Sequence, residues 1–183
     1  ASKLELKSFF KYPYNYHKDV PQLLGFPRYD ALEKKEDYKE IVIMPSWRRH
    51  FHHSTKEKIL KSNYFKIYNT LINDSRLIDF CKEHGYKLIF KPHPNVYRFI
   101  ELFETNDYVT IDSTSNSYNN IFTHASLVIT DYSSIAFDFA YLKKPVIYYH
   151  YAQDYHFDIE ESYFDYKTMG FGEVVDNHEE LID

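Results

Sequence analysis

Between Glu40 and Tyr149 the sequence alternates short, continuous apolar runs with stretches of helical periodicity, and this rhythm limits the fold more than any single residue. Ile41-Val42-Ile43-Met44 is apolar throughout and stops at Pro45, as a strand buried on both faces does. From about Thr55 to His84, the residues Ile59, Leu60, Phe65, Ile67, Leu71, Leu77, Ile78 and Phe80 recur at helical spacing, with His84-Gly85 as the stop. Tyr86–Phe90 predicts the next strand, 96–104 a short helix, Tyr108–Ile111 a strand and Ser117–His124 another short helix. Leu127–Thr130 predicts a strand, Ser133–Leu142 a helix and Pro145–Tyr149 the closing strand. Apolar strands separated by helices bury both faces of a parallel sheet under helical layers. The expected fold class is α/β, a doubly wound, Rossmann-like parallel sheet.

A chain of 183 residues suits one domain with a substantial core. Residues 1–30 carry turn formers and no sustained period, as in Tyr12-Pro13-Tyr14-Asn15-Tyr16 and Gly25-Phe26-Pro27-Arg28. They are expected to form a linker leading into a domain over 31–183, with a charged helix over Tyr29–Tyr38. The net charge of -5 argues against nucleic-acid binding by bulk attraction. No apolar run approaches ~18 residues and no signal-like pattern opens the chain, so a soluble, unexported, cytoplasmic chain is expected, able to dock on a membrane only through a region outside this sequence. One cysteine, Cys81, fits a reducing compartment. The 19 Tyr and 15 Phe are unusual. Half-buried packing and codon usage explain them as simply as a sugar-binding surface does.

In a doubly wound sheet, ligands lie beyond the carboxyl ends of the strands, so the residues that follow each strand carry the functional information. After the first come Pro45-Ser46-Trp47-Arg48-Arg49 and His50, His52 and His53. Guanidinium groups offer planar paired donors to phosphate oxygens. Trp47 can stack on a base or pack against a helix, and the adjacent His52 and His53 lack the i, i+4 spacing of a helical metal site. After the second strand, Lys91-Pro92-His93-Pro94 holds one histidine between two prolines, restricting its backbone. His93 there can donate to a phosphate, transfer a proton, or simply belong to a rigid turn. After Thr130, Asp131-Tyr132-Ser133-Ser134 opens a helix whose free N–H groups suit an anion, or whose serine is a plain cap. Asp138, one turn on, could reach ribose hydroxyls. Asp131 and Asp138 give no strong metal signal, and no glycine-rich phosphate loop or zinc spacing occurs. The residues alone indicate a nucleotide diphosphate or similar anion.

In order, Gly25-Phe26-Pro27-Arg28-Tyr29-Asp30-Ala31-Leu32, Met44-Pro45-Ser46-Trp47-Arg48, Lys91-Pro92-His93-Pro94 and Thr130-Asp131-Tyr132-Ser133-Ser134 through Pro145 resemble the CDP-glycerol glycerophosphotransferase family. These enzymes build teichoic acids and related capsule polymers. The tail, Tyr163-Phe164-Asp165-Tyr166 with Gly170-Phe171-Gly172-Glu173-Val174-Val175, is similar as well, except that Glu161-Ser162 stands where many members have Arg-Gly. The resemblance implies a GT-B architecture, two Rossmann-like domains across a cleft, of which this chain is the carboxyl-terminal, donor-binding one. It implies His93 as the catalytic residue at the donor phosphates, and Arg48, Ser133, Ser134 and Asp131 around those phosphates. Asp138 then faces the ribose, with Pro45 and Trp47 toward the nucleoside. No cofactor and no metal are implied. The implied partners are CDP-glycerol, a polymer acceptor and an amino-terminal domain that supplies the likelier general base, at the inner face of a bacterial membrane. CDP-ribitol transfer, a nucleotide-sugar 2-epimerase and a polymer-binding module using Tyr148, Tyr149 and Tyr151 are the competing readings.

Overall fold

A computed structural model describes residues 2–11, 14–33, 38–48, 51–114, 118–151 and 164–183. Its centre is a sheet of strands β1 (Glu40–Met44), β2 (Lys87–Phe90), β3 (Val109–Ile111), β4 (Ala125–Thr130), β5 (Val146–Tyr149) and β6 (Glu173–Val175). All neighbours pair in parallel, in the order β3-β2-β1-β4-β5-β6. Four of the five residues of β1 are buried, which explains why its apolar run lacks alternation.

Helices α1 (Lys3–Phe9), α2 (Lys56–Lys61), α3 (Asn63–Ile72), α4 (Ser75–His84), α5 (Tyr118–His124), α6 (Ile135–Tyr141), α7 (Tyr166–Met169) and α8 (His178–Ile182) accompany the strands. The long helical stretch expected before β2 is three helices. Ser62 ends α2 and caps α3 by accepting from the Phe65 N–H at 3.1 Å, and the Asp74 carboxylate caps α4 through the Arg76 N–H at 2.8 Å. Gly85 closes α4 in the left-handed region at φ 72°, the role its position suggests. The segment after β2 is a 3-10 helix, Pro94–Leu102, rather than an α-helix.

Two apolar clusters lie against the sheet. One holds Ile41, Ile43, Tyr64, Tyr68, Leu88 and Phe90; the other holds Val42, Met44, Val128, Phe139 and Tyr148. Alternate residues of β1 therefore serve opposite faces, as the pleat requires. The strand β6 was not anticipated. It is short, and it reaches β5 only because Gly172 lacks a side chain: a Cβ there would lie 1.7 Å from the Val146 carbonyl oxygen. The expected helix over Tyr29–Tyr38 is instead a 3-10 turn at Pro27–Ala31, and 34–37 lie outside the described residues. That turn is not a free linker. Tyr29 stacks on Tyr141 of α6 with ring centres 4.4 Å apart, and the Arg28 guanidinium grips Asp138 of the same helix at 2.8 and 3.2 Å.

Candidate functional site

The sheet order reverses between β1 and β4, where the chain winds to opposite sides, so the loops after these two strands frame a crevice. Asp131, fully buried at the end of β4, organises that point. Its Oδ1 accepts the backbone N–H of Ser46 at 2.8 Å and of Tyr132 at 2.7 Å. Its Oδ2 accepts from Arg48 at 2.8 Å and from the Tyr68 hydroxyl of α3 at 3.5 Å. Arg48 is 4% exposed; it donates onward to the Tyr151 hydroxyl at 2.9 Å and to the Ser46 carbonyl at 3.2 Å. One carboxylate thus ties together the ends of β1 and β4 and, through Arg48, the residue beyond β5.

This geometry revises two expected roles. Arg48 and Asp131, expected at the donor phosphates, face each other inside the protein, because a buried guanidinium requires a buried counter-charge. Asp138, expected at a ribose, is 3% exposed and faces Arg28. Burial pushes its carboxyl above the ordinary range, and Arg28 offsets this only in part.

Ser133 and Ser134 remain at the edge. The Ser133 hydroxyl accepts the Ile135 N–H at 3.4 Å, while Ser134, the cap position of α6, makes no side-chain cap bond. The backbone N–H groups of Ser133 and Ser134 have no partner among the described residues. His93 follows β2 on the same edge, half-buried, with Nδ1 accepting the Asn95 N–H at 3.2 Å. Burial lowers its pKa, which favours the neutral imidazole. Trp47 stacks on His93 with ring centres 5.9 Å apart and meets Phe51 edge-on at 6.0 Å, so both readings of its ring concern one place. Pro45, expected toward the nucleoside, is buried.

Two further groups at this edge escaped the sequence. Lys91, 2% exposed, donates to Asp112 at 2.9 Å and to the Thr114 carbonyl at 3.0 Å, joining the ends of β2 and β3. His150 stacks on Tyr132 at 4.0 Å and approaches the Asp131 carbonyl oxygen at 3.2 Å through Nε2, bracing the loop that leads to Ser133. Burial lowers its pKa as well. Lys91 stands in a motif and could have been suspected; His150 follows an apolar strand and gives no local signal. Tyr148, Tyr149 and Tyr151 are 0%, 2% and 5% exposed, so they cannot form the surface platform of a polymer-binding module. Arg49, His50, the Glu161-Ser162 departure and Tyr163 of the tail lie outside the described residues. Among the described residues no His, Cys, Asp and Glu group could hold a metal ion, and no helix is long and apolar enough to cross a membrane.

Fold and edge together define a doubly wound α/β unit with its polar loops at a topological switch point. The sequence profile of the CDP-Glycerol:Poly(glycerophosphate) glycerophosphotransferase family matches residues 1–183, and the chain belongs to that family. It is 46% identical over 192 residues to the Minor teichoic acid biosynthesis protein GgaB of Bacillus subtilis (strain 168), covering all of this chain and 21% of GgaB. It is 28% identical to the Teichoic acid glycerol-phosphate transferase of Staphylococcus aureus (strain NCTC 8325 / PS 47), covering 96% of this chain and 47% of that protein. The wall teichoic acid polymerase TagF shares the fold, with a TM-score of 0.67 at 22% identity over 96% of this chain and 45% of TagF. The chain thus spans less than half the length of each of these relatives.

Proposed function

We propose that residues 1–183 form the donor-binding unit of a transferase that moves glycerol phosphate from CDP-glycerol to a polymer hydroxyl and releases CMP, in teichoic acid or capsule synthesis. One observation carries this reading. The switch-point edge presents the N–H groups of Ser133 and Ser134, which have no partner among the described residues, and, from the neighbouring β2 side, the imidazole of His93, whose pKa burial lowers. Family membership and a TagF structure soaked with CDPG, which shares this fold at a TM-score of 0.51, favour a CDP-linked donor.

In the proposed reaction an acceptor oxygen attacks the donor's β-phosphorus, the bond to the bridging oxygen breaks, and CMP leaves with the bond electrons. The catalytic requirement is to offset charge on two adjacent phosphates. Ser133 and Ser134 would donate backbone N–H groups to one phosphate, and His93 would serve the other through Nε2, its Nδ1 already accepting from Asn95. Arg48 and Asp131 contribute by holding the loops rather than by touching the donor. Asp138 braces α6 through Arg28. The acceptor's proton goes to a base on the rest of the protein, which we place at the inner face of the bacterial membrane.

His93→Ala in the complete protein is expected to lower turnover by ~10²–10⁴-fold while leaving the thermal midpoint nearly unchanged. Near-normal turnover would contradict the reading. Head-group choice is tested by competing CDP-ribitol with CDP-glycerol: both donors fit the same phosphate seat, and CDP-glycerol is expected to be the one transferred.

A further inference from the structure

Beside His93 lies a polar recess that the donor reading does not use. A cavity of about 250 Å³ is lined by Trp47, His52, Pro94, Asn95 and Arg98. That is room for about eight waters at roughly 30 Å³ each, enough for one small phosphorylated polyol. Arg98 is anchored by Nη2, which donates to the Phe51 carbonyl at 2.9 Å and the His52 carbonyl at 2.6 Å. Its Nε and Nη1 donors and the Asn95 side-chain amide have no partner among the described residues. His52 meets His53 through Nδ1 at 3.2 Å, and its Nε2 has no partner among the described residues. Among the described residues no carboxylate lines the recess, and Glu101, on the same 3-10 helix as Arg98, is occupied by Lys56 at 2.6 Å.

An anchored guanidinium with free N–H groups receives a phosphate at little entropic cost, since its orientation is already fixed. An amide and an imidazole beside it match hydroxyls, which both donate and accept. We propose that this recess binds a polyol-phosphate unit of the acceptor polymer, with its phosphate on Arg98 and hydroxyls on Asn95 and His52. The proposal rests on the transferase reading above, because it takes His93, stacked on the recess wall at Trp47, to stand at the reaction centre. A donor phosphate has the same chemistry as an acceptor phosphate, so the test must separate them.

In the complete protein, Arg98→Gln is expected to raise the KM for a glycerol-phosphate oligomer about tenfold and leave the KM for CDP-glycerol unchanged. Asn95 is exposed and its side chain holds nothing in place, so Asn95→Ala keeps the fold and is expected to raise the acceptor KM about threefold. An unchanged acceptor KM in Asn95→Ala, or a donor KM that rises instead in either variant, overturns the proposal. Direct binding of free glycerol phosphate, measured by calorimetry, separates this from failure of the transferase reading. If the protein transfers nothing from CDP-glycerol, that reading falls, whereas glycerol phosphate binding weakened about threefold in Asn95→Ala still supports the recess, and binding unchanged in that variant or absent altogether overturns it.

Discussion

Two arginine–aspartate pairs in this protein look alike in sequence and differ in what surrounds them. Asp131 and Asp138 are 0% and 3% exposed, and each accepts from one guanidinium at 2.8 Å. Arg48, the partner of Asp131, has a side chain 4% exposed, whereas Arg28, the partner of Asp138, is 48% exposed. Asp131 also takes two backbone N–H groups, so its charge is shared among strand ends that must stay in register. Among the described side chains Asp138 is bonded by Arg28 alone, and it holds a surface turn to α6. The difference teaches that a buried acid's role follows from its partner's solvation: the first pair is an internal clamp, the second a latch.

The largest expected effect comes from breaking the clamp. Asp131→Asn leaves the Arg48 charge buried without its counter-ion and is expected to cost ~3–5 kcal/mol, read as a lower urea midpoint. Arg48→Met is expected to cost a comparable amount, for the mirrored reason. A loss below ~1 kcal/mol in both would remove the distinction between the pairs. Next in size is Gly172→Ala, whose Cβ must displace the Val146 carbonyl; β6 is expected to detach, and its amide protons to exchange as fast as those of a terminus. Asp138→Asn is expected to cost less than ~1 kcal/mol at neutral pH, because Arg28 can turn to water and the amide avoids burying a charge.

The pH dependence sharpens the contrast. Burial raises Asp138 above its unfolded value, so its contribution is fully present below the unfolded carboxylate range and is lost as pH rises through the folded value. Asp74 runs the other way. Burial pushes it up, but bonds from Arg76 and His178 outweigh that and hold it well below the ordinary range. Its contribution is present above the unfolded value and lost as pH falls toward the folded one. The gap between the native protein and Asp138→Asn should therefore shrink as pH rises above the ordinary carboxylate range of about 4. The gap to Asp74→Asn should instead grow as pH rises from about 2 to 5. Parallel curves for the two variants would contradict the assignment of opposite causes.

Much of the fold was legible because its strands are continuous apolar runs closed by Pro45 and Pro92, and because Gly85 marks a helix end in the sequence itself. The strand β6 was not, since Glu173-Val174-Val175 is short and its pairing depends on Gly172 approaching a carbonyl far away in sequence. Site positions were legible as strand ends, yet their roles were not. Whether Arg48 faces solvent or Asp131 depends on a contact 83 residues apart. The tyrosines follow the same logic. Tyr148, Tyr149 and Tyr151 lie at or just beyond β5, and burial there turns them from a surface into core, with the Tyr151 hydroxyl used by Arg48.

The central claim is that the edge between β1 and β4 seats the donor's phosphates, with the clamp behind it. The structure of the complete protein with CDP-glycerol bound tests this directly. The account predicts phosphate oxygens within hydrogen-bond reach of the Ser133 and Ser134 N–H groups and of His93 Nε2, with Arg48 still on Asp131. Phosphates bound directly by Arg48, or a donor seated in the recess at Arg98, would contradict it.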